Sequence, residues 1–258
     1  MKVAFWWVPL TVVLVALAVI VYYEWETTEE KPPPVELPVP PASDEPRYPV
    51  PATPREPQEP VMPLPALDES DEAIQGSLEE LFRQETIGEI LNPENIIRNV
   101  VVTVDNLPRE KLGVQMRPVK PAMDAFRTSG TDAAITMSPD NYARYQPFVE
   151  LARVADAKQV TRLYFRFYPL FQQAYDDLGD APRNFNDRLV EVIDHLLATP
   201  EVQGPIRLMQ PKVFYQFADP ELEAMSAGQK ILIRMGSENA AVIKAKLREI
   251  RAELVTQN

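Results

Sequence analysis

The chain holds a single histidine, His195, and no cysteine, so any chemistry built on an imidazole has one place to sit. His195 lies in the string FNDRLVEVIDHLLATP (residues 185–200), where Asp187, Glu191 and His195 follow at i, i+4 and i+8. On a helix turning about 100° per residue these three fall within an arc of about 80°, and Asp194 lies about 20° to the other side of Asp187. Carboxylates and an imidazole on one helix face can ligate a divalent cation or move a proton. His195, Asp187, Glu191 and Asp194 are therefore the candidates for catalytic residues. Leu189, Val190, Ile193, Leu196 and Leu197 cover the opposite arc, so the competing reading is an amphipathic helix with a solvated charged face, the commoner fate of such a pattern.

Two further groups are candidates for partner binding. Tyr142, Arg144 and Tyr145 lie close together and can form a stacked or phosphate-reading cluster. Lys244, Arg248 and Arg251 recur at i, i+4 and i+7, with Lys246 nearby, as a docking strip for an acidic partner. Helix-end packing for the first and a solvated face complementing the helix dipole for the second are the plainer alternatives. Tyr164, Tyr168, Phe171 and Tyr175 form an aromatic row at i, i+4, i+7 and i+11. Such a row can be a platform for sugar rings, although beside Leu163, Phe167 and Leu170 it reads more readily as core.

The remaining exclusions follow from composition. Without cysteine there are no disulfides, thiolate metal sites or Cys nucleophiles, and one histidine removes zinc sites made of two or three imidazoles. No nucleophile elbow, P-loop, dinucleotide fingerprint, H-E-x-x-H or EF-hand pattern occurs. No cofactor is expected, and a net charge of -12 argues against nucleic acid as a partner.

These residues must be carried by a fold, and the chain divides into three parts. Val3 to Tyr23 is an uncharged run of 21 residues with aromatic side chains near both ends, which predicts an N-terminal transmembrane helix over residues 1–24. A cleaved signal peptide is the competing reading, from Ala16-Leu17-Ala18, but apolar residues continue past that site. Lys2 before the span and four glutamates just after it keep the N-terminus cytoplasmic and put the C-terminal domain in the periplasm of a bacterial inner membrane. Residues 25–66 form an acidic proline-rich linker. Of the 27 prolines, 14 fall within residues 32–65, a density that predicts a polyproline-II-like spacer.

Residues 67–258 read as a mainly helical globular domain with minor β content. Ser70 is expected to cap a helix with Ile74, Leu78, Leu81 and Phe82 on one face, and Thr86 to begin a short further turn. Pro93 is expected at the first position of the next helix, with Ile96, Ile97, Val100, Val101 and Val104 inward. Ser138 and Asp156 are expected to cap two helices, with Pro147 splitting the first. Asn184 or Asn186 starts another, Asp219 and Ser226 begin two short ones, and Ser237 caps the last, whose Ile243, Leu247, Ile250 and Leu254 face inward. Hairpins are expected to pair residues 125–128 with 133–137 and residues 206–210 with 212–217.

The strings TVDNLPR (103–109), NYARYQPFVEL (141–151), YPLFQQAYDDLG (168–179), FNDRLVEVIDHLLATP (185–200) and FADPELEAMSAGQKILIRMGSENA (217–240) together resemble the bacterial domain-of-unknown-function family 3014. The resemblance implies a single-span envelope protein with a proline-rich stretch before its folded part, and it assigns no catalytic residue. The expected function is binding or scaffolding of another protein or the cell wall by the helical domain. The alternative is a membrane-tethered hydrolase or transferase acting on a wall or glycan substrate through His195.

Overall fold

The computed structural model describes residues 46–51, 63–82, 90–111, 117–122, 124–131, 134–179 and 184–256. The helical parts follow the apolar periodicities closely. Helix α1 (Asp71–Phe82) turns Ile74 and Leu78 inward, with Leu81 and Phe82 half-buried against the same core. Its start differs from expectation, because the Ser70 hydroxyl donates to the Leu67 carbonyl at 2.7 Å and so closes the preceding 3-10 turn, Leu67–Glu69.

Helix α2 (Ile96–Asn106) begins three residues later than Pro93 predicts. Asn95 stands at φ +53°, a left-handed conformation that asparagine tolerates better than most residues. The Asp71 carboxylate then accepts the amides of Asn95 and Ile96 at 2.7 and 2.9 Å, so one helix caps the next. The β-branched run of α2 is poor helix material in isolation, and burial of Ile96, Ile97, Val100, Val101 and Val104 overrides that preference.

Between α2 and α3 the chain forms the first hairpin, β1 (Thr128–Ser129) with β2 (Thr136–Met137), Thr128 opposite Met137. Ser138 accepts the Asp140 amide to cap a 3-10 helix, Pro139–Tyr145, and α3 (Gln146–Val154) follows with Pro147 in its first turn. Proline lacks the amide that a continuous helix needs there, so the split follows from covalent structure. Asp156 caps α4 (Ala157–Asp176), its carboxylate accepting the Gln159 amide at 2.9 Å. Helix α5 (Phe185–Leu197) follows, and then the second hairpin, β3 (Leu208–Met209) with β4 (Gln216–Phe217). Both hairpins are shorter than expected. They join through Met137 N to Ile206 O and Leu208 N to Ile135 O, each 2.9 Å, over a small second core of Met137, Ile206, Leu208, Phe217 and Ile233.

Asp219 caps α6 (Pro220–Glu223), and Ser226 with Gln229 makes the expected capping box of α7 (Ala227–Arg234). Gly228 lies where α7 meets the end of α2. A Cβ there would stand 2.5 Å from Leu196 Cδ2 and 3.2 Å from the Leu107 carbonyl, so any larger residue would require the Leu196 side chain to move and the carbonyl to give way slightly. Ala227 and Gly228 donate their amides to the Arg109 and Leu107 carbonyls at 2.8 and 3.0 Å, which satisfies the start of one helix with the end of another. Helix α8 (Ser237–Thr256) begins at Ser237 itself, preceded by Gly236, whose carbonyl accepts the Ala240 amide.

The last helix is the hub. It packs against α3, α4, α5 and α7, while α2 packs against α4 and α5. Lys246 donates to the carbonyl of Ala155, the C-cap of α3, at 2.7 Å, and Lys244 to that of Thr199 just beyond α5. The two buried ammonium groups thus satisfy carbonyls at the ends of neighbouring helices.

The expectation of a single-pass inner-membrane protein is corrected. Among the described residues no helix is long and apolar enough to cross a membrane. The two 20-residue helices have the length but not the composition, since α4 carries Lys158, Arg162, Arg166 and Asp176 and α8 carries seven charged side chains. Val3 to Tyr23, on which that expectation and the orientation rested, lie outside the described residues, as does Thr86. The architecture is a mainly helical globular fold with minor β content.

Candidate functional site

The first turn of α5 carries amides that no helical carbonyl accepts, and α4 supplies their partners. Gln172 Oε1 accepts the Phe185 amide at 2.8 Å, and the Tyr168 phenol accepts that of Asn186 while donating to Gln172 at 2.9 Å. Burial pushes the Tyr168 phenol up to about 12, against the opposing pull of the Asn186 amide, so it stays a proton donor. The other rings of the aromatic row are core. Phe185 stacks on Phe171 with centroids 5.8 Å apart and lies 5.5 Å from Tyr175 and 6.4 Å from Tyr164, all buried. Three of the four rings of the row are thus enclosed in the core and offer no open face to a sugar.

The polar arc of α5 is divided between two neighbours. On one side the Asp187 carboxylate accepts the amides of Arg47 and Tyr48 at 2.8 and 2.7 Å, and Asn186 Nδ2 donates to the Tyr48 carbonyl at 2.9 Å. Residues 46–51, Pro-Arg-Tyr-Pro-Val-Pro, thus lie on the helical domain rather than in a free spacer, with the Tyr48 ring half-buried against the main core. Asp194 forms a two-pronged ion pair with Arg251 of α8, its Oδ2 standing 2.9 Å from Nη2. That pair, with a smaller contribution from the nearby Tyr48 phenol, raises Arg251 above its ordinary value.

On the other side, Arg188 donates to the buried Asp105 carboxylate at 2.9 Å and to the Asp105 carbonyl at 2.8 Å. Arg109 reaches the second carboxylate oxygen at 3.1 Å. Glu191 is exposed and lies 3.6 Å from Arg188. His195 Nε2 stands 2.8 Å from the Ser226 hydroxyl, and the His195 carbonyl faces Gln229 Nε2 at 3.4 Å.

The Ser226–His195 contact has the distance of a nucleophile and its base, but not the surroundings. Ser226 is 7% exposed, and its oxygen already accepts the Gln229 amide as the cap of α7. Asp187, Glu191 and Asp194 hold Arg47 and Tyr48, Arg188 and Arg251 respectively, so none orients the imidazole. Among the described residues no three His, Asp or Glu gather as a metal site.

Burial, and then the Arg188 charge, lower His195 below its ordinary value. A group depressed in the folded state stabilises the fold above its unfolded pKa, about 6.5, and that stability is lost as pH falls through the folded pKa. Urea unfolding between pH 8 and 5 should therefore show falling stability below about pH 6.5. His195→Gln should flatten that part of the profile, and an unchanged slope would contradict the lowering of the half-buried imidazole.

The partner-binding candidates have separate fates. Tyr145 is fully buried; Tyr142 is half-buried and packs against Gly236, whose φ of +85° and missing Cβ leave room for its ring. Arg144 is half-buried beside them. Lys244 is buried and lowered from its ordinary value, chiefly by desolvation, while Arg248 is exposed and Arg251 is bound to Asp194. Tyr142 and Lys244, about a hundred residues apart in the chain, meet at a cavity of about 130 Å³ that Thr199, Glu201, Ile233 and Gly236 also line.

Sequence reasoning missed Tyr48, Asn186, Asp105 and the role of Ser226 toward His195. One signal existed for the first: Tyr48 is the only aromatic residue between Trp25 and Phe82, in the stretch where prolines concentrate.

The fold and this site define a helical domain whose charged groups bind main chain and one another. The family model described as "Protein of unknown function (DUF3014)" matches residues 96–251, well over half of the chain, and the chain belongs to that family. No curated protein and no solved structure matches it.

Proposed function

We propose that the helical domain binds or scaffolds another protein. The observation that carries this reading is the seat on α5, where Asn186 and Asp187 hold residues 46–51 through three main-chain hydrogen bonds. Recognition through main-chain groups, with a pocket for one ring, is how domains take up short peptide segments. The alternative, a hydrolase or transferase built on His195, lacks support from the geometry, because His195 braces the cap of α7 and the carboxylates of Asp187, Glu191 and Asp194 are turned to other partners.

Cross-linking of the full chain in cells, followed by mass spectrometry, tests the proposal against a chain lacking residues 67–258. A protein recovered only when the helical domain is present is the expected result. Recovery of the same proteins from both chains would remove the domain as the binding element.

A further inference from the structure

The seat described above is occupied by a segment of its own chain, and three features of that occupancy bear on what else it takes. Recognition is of main chain: Asp187 takes two successive amides and Asn186 one carbonyl, so any segment with free amides at those two positions meets the same atoms. The segment's one ring, Tyr48, packs against the core, and the Arg47 guanidinium lies over it at 5.5 Å. Prolines at 46, 49 and 51 surround the two donors, and their fixed φ lowers the conformational entropy lost on docking.

The occupancy is also incomplete. Asn186 is fully buried and its Nδ2 is committed to the Tyr48 carbonyl, which fixes the amide orientation, yet Asn186 Oδ1 has no donor among the described residues. A buried acceptor left without a donor costs free energy that a better occupant would recover. Pro49 follows the bonded carbonyl and has no amide to offer.

We propose that the Asn186–Asp187 seat is an exchangeable recognition site for a proline-flanked, tyrosine-bearing peptide segment of a partner protein, and that residues 46–51 fill it as a tethered stand-in. This rests on the protein-binding reading above and names its ligand. A segment of the same chain competes intramolecularly, so a free peptide of the same sequence must bind weakly while that segment is docked. Removing the tethered segment from competition should expose the site.

The probe is the fluorescein-labelled, end-capped peptide Pro-Arg-Tyr-Pro-Val-Pro, titrated into full-length chains by fluorescence anisotropy. Tyr48→Pro removes from the tether both the ring and the amide that Asp187 accepts. Peptide binding should tighten at least about tenfold in this variant relative to the unaltered chain. Adding Asp187→Ala to it should abolish binding, with Asp187→Asn as the isosteric second variant should the first fail to fold. No tightening with Tyr48→Pro, or tightening that survives loss of Asp187, would overturn the proposal. Sedimentation of the unaltered chain across concentrations addresses the other occupant: a monomer is expected, and a dimer dispersed by Asp187→Ala would overturn it in favour of a second copy. If the peptide fails while cross-linking still recovers a partner through the helical domain, this inference falls and the protein-binding reading stands.

Discussion

Replacing Asp105 by alanine is expected to lower the free energy of unfolding by about 3 kcal/mol, the low end of the roughly 3–5 kcal/mol that removal of one member of a buried ion pair costs. Asp105 is 5% exposed and serves two arginines, Arg188 of α5 and Arg109 just past α2. Its loss leaves the Arg188 guanidinium partly buried without its main counter-charge. Arg188 retains the Asp105 carbonyl and the neighbouring Glu191, which is why the lower bound applies. Pairing Asp105→Leu with Arg188→Met should recover part of the loss, because no unpaired charge then remains inside. Urea denaturation of the three chains measures both effects. A loss under about 1 kcal/mol for Asp105→Ala would mean that the pair is solvated and does not fasten α5 to α2.

The second large effect is expected at Phe185. Its ring is 1% exposed, stacks on Phe171 and touches Tyr164 and Tyr175, and its amide is held by Gln172. Truncation to alanine opens a cavity against the three remaining rings, Tyr164, Phe171 and Tyr175, which are all fixed to α4 and close poorly around it. The cost expected is about 3–5 kcal/mol, a large part of the stability of an ordinary domain. Phe185→Leu, which keeps most of the volume, should cost much less. Thermal and urea unfolding distinguish the two variants. Equal behaviour would show that the aromatic row is a surface feature, which would revive the sugar-platform reading of Tyr164, Tyr168, Phe171 and Tyr175.

The local half of this structure could be read from the sequence, and the reason is range. The caps at Ser138, Asp156, Asp219 and Ser226 act within three residues, and the split at Pro147 follows from a missing amide, so neighbours in sequence decide them. The inward rows of α2 and α8 follow from spacing alone. Where a side chain serves a distant backbone, spacing is silent. Asp71 caps α2 from 24 residues away, and Asp187 binds Tyr48 across 139.

The acidic stripe shows the same limit. Periodicity placed Asp187, Glu191, Asp194 and His195 on one side of α5 correctly, but an arc of about 100° is wide enough to face two neighbours at once. One edge meets residues 46–51 and α8, the other meets Asp105 and the cap of α7. Hence the groups that looked like a cation site or an acid–base pair are dispersed. The basic row of α8 dissolves similarly, because its members lie on different parts of one helix's surroundings: Lys244 inward, Arg251 toward α5 and Arg248 outward.

The central claim is that Asp187 is a receptor for main-chain amides, and amide hydrogen exchange tests it most directly. Pro46, Pro49 and Pro51 carry no amide, so Arg47, Tyr48 and Val50 alone report on the segment. In the unaltered chain the Arg47 and Tyr48 amides, bonded to Asp187, should exchange at least about tenfold more slowly than in the free peptide, and Asp187→Ala should abolish that protection. Exchange of both amides at the free-peptide rate in the unaltered chain would contradict the account.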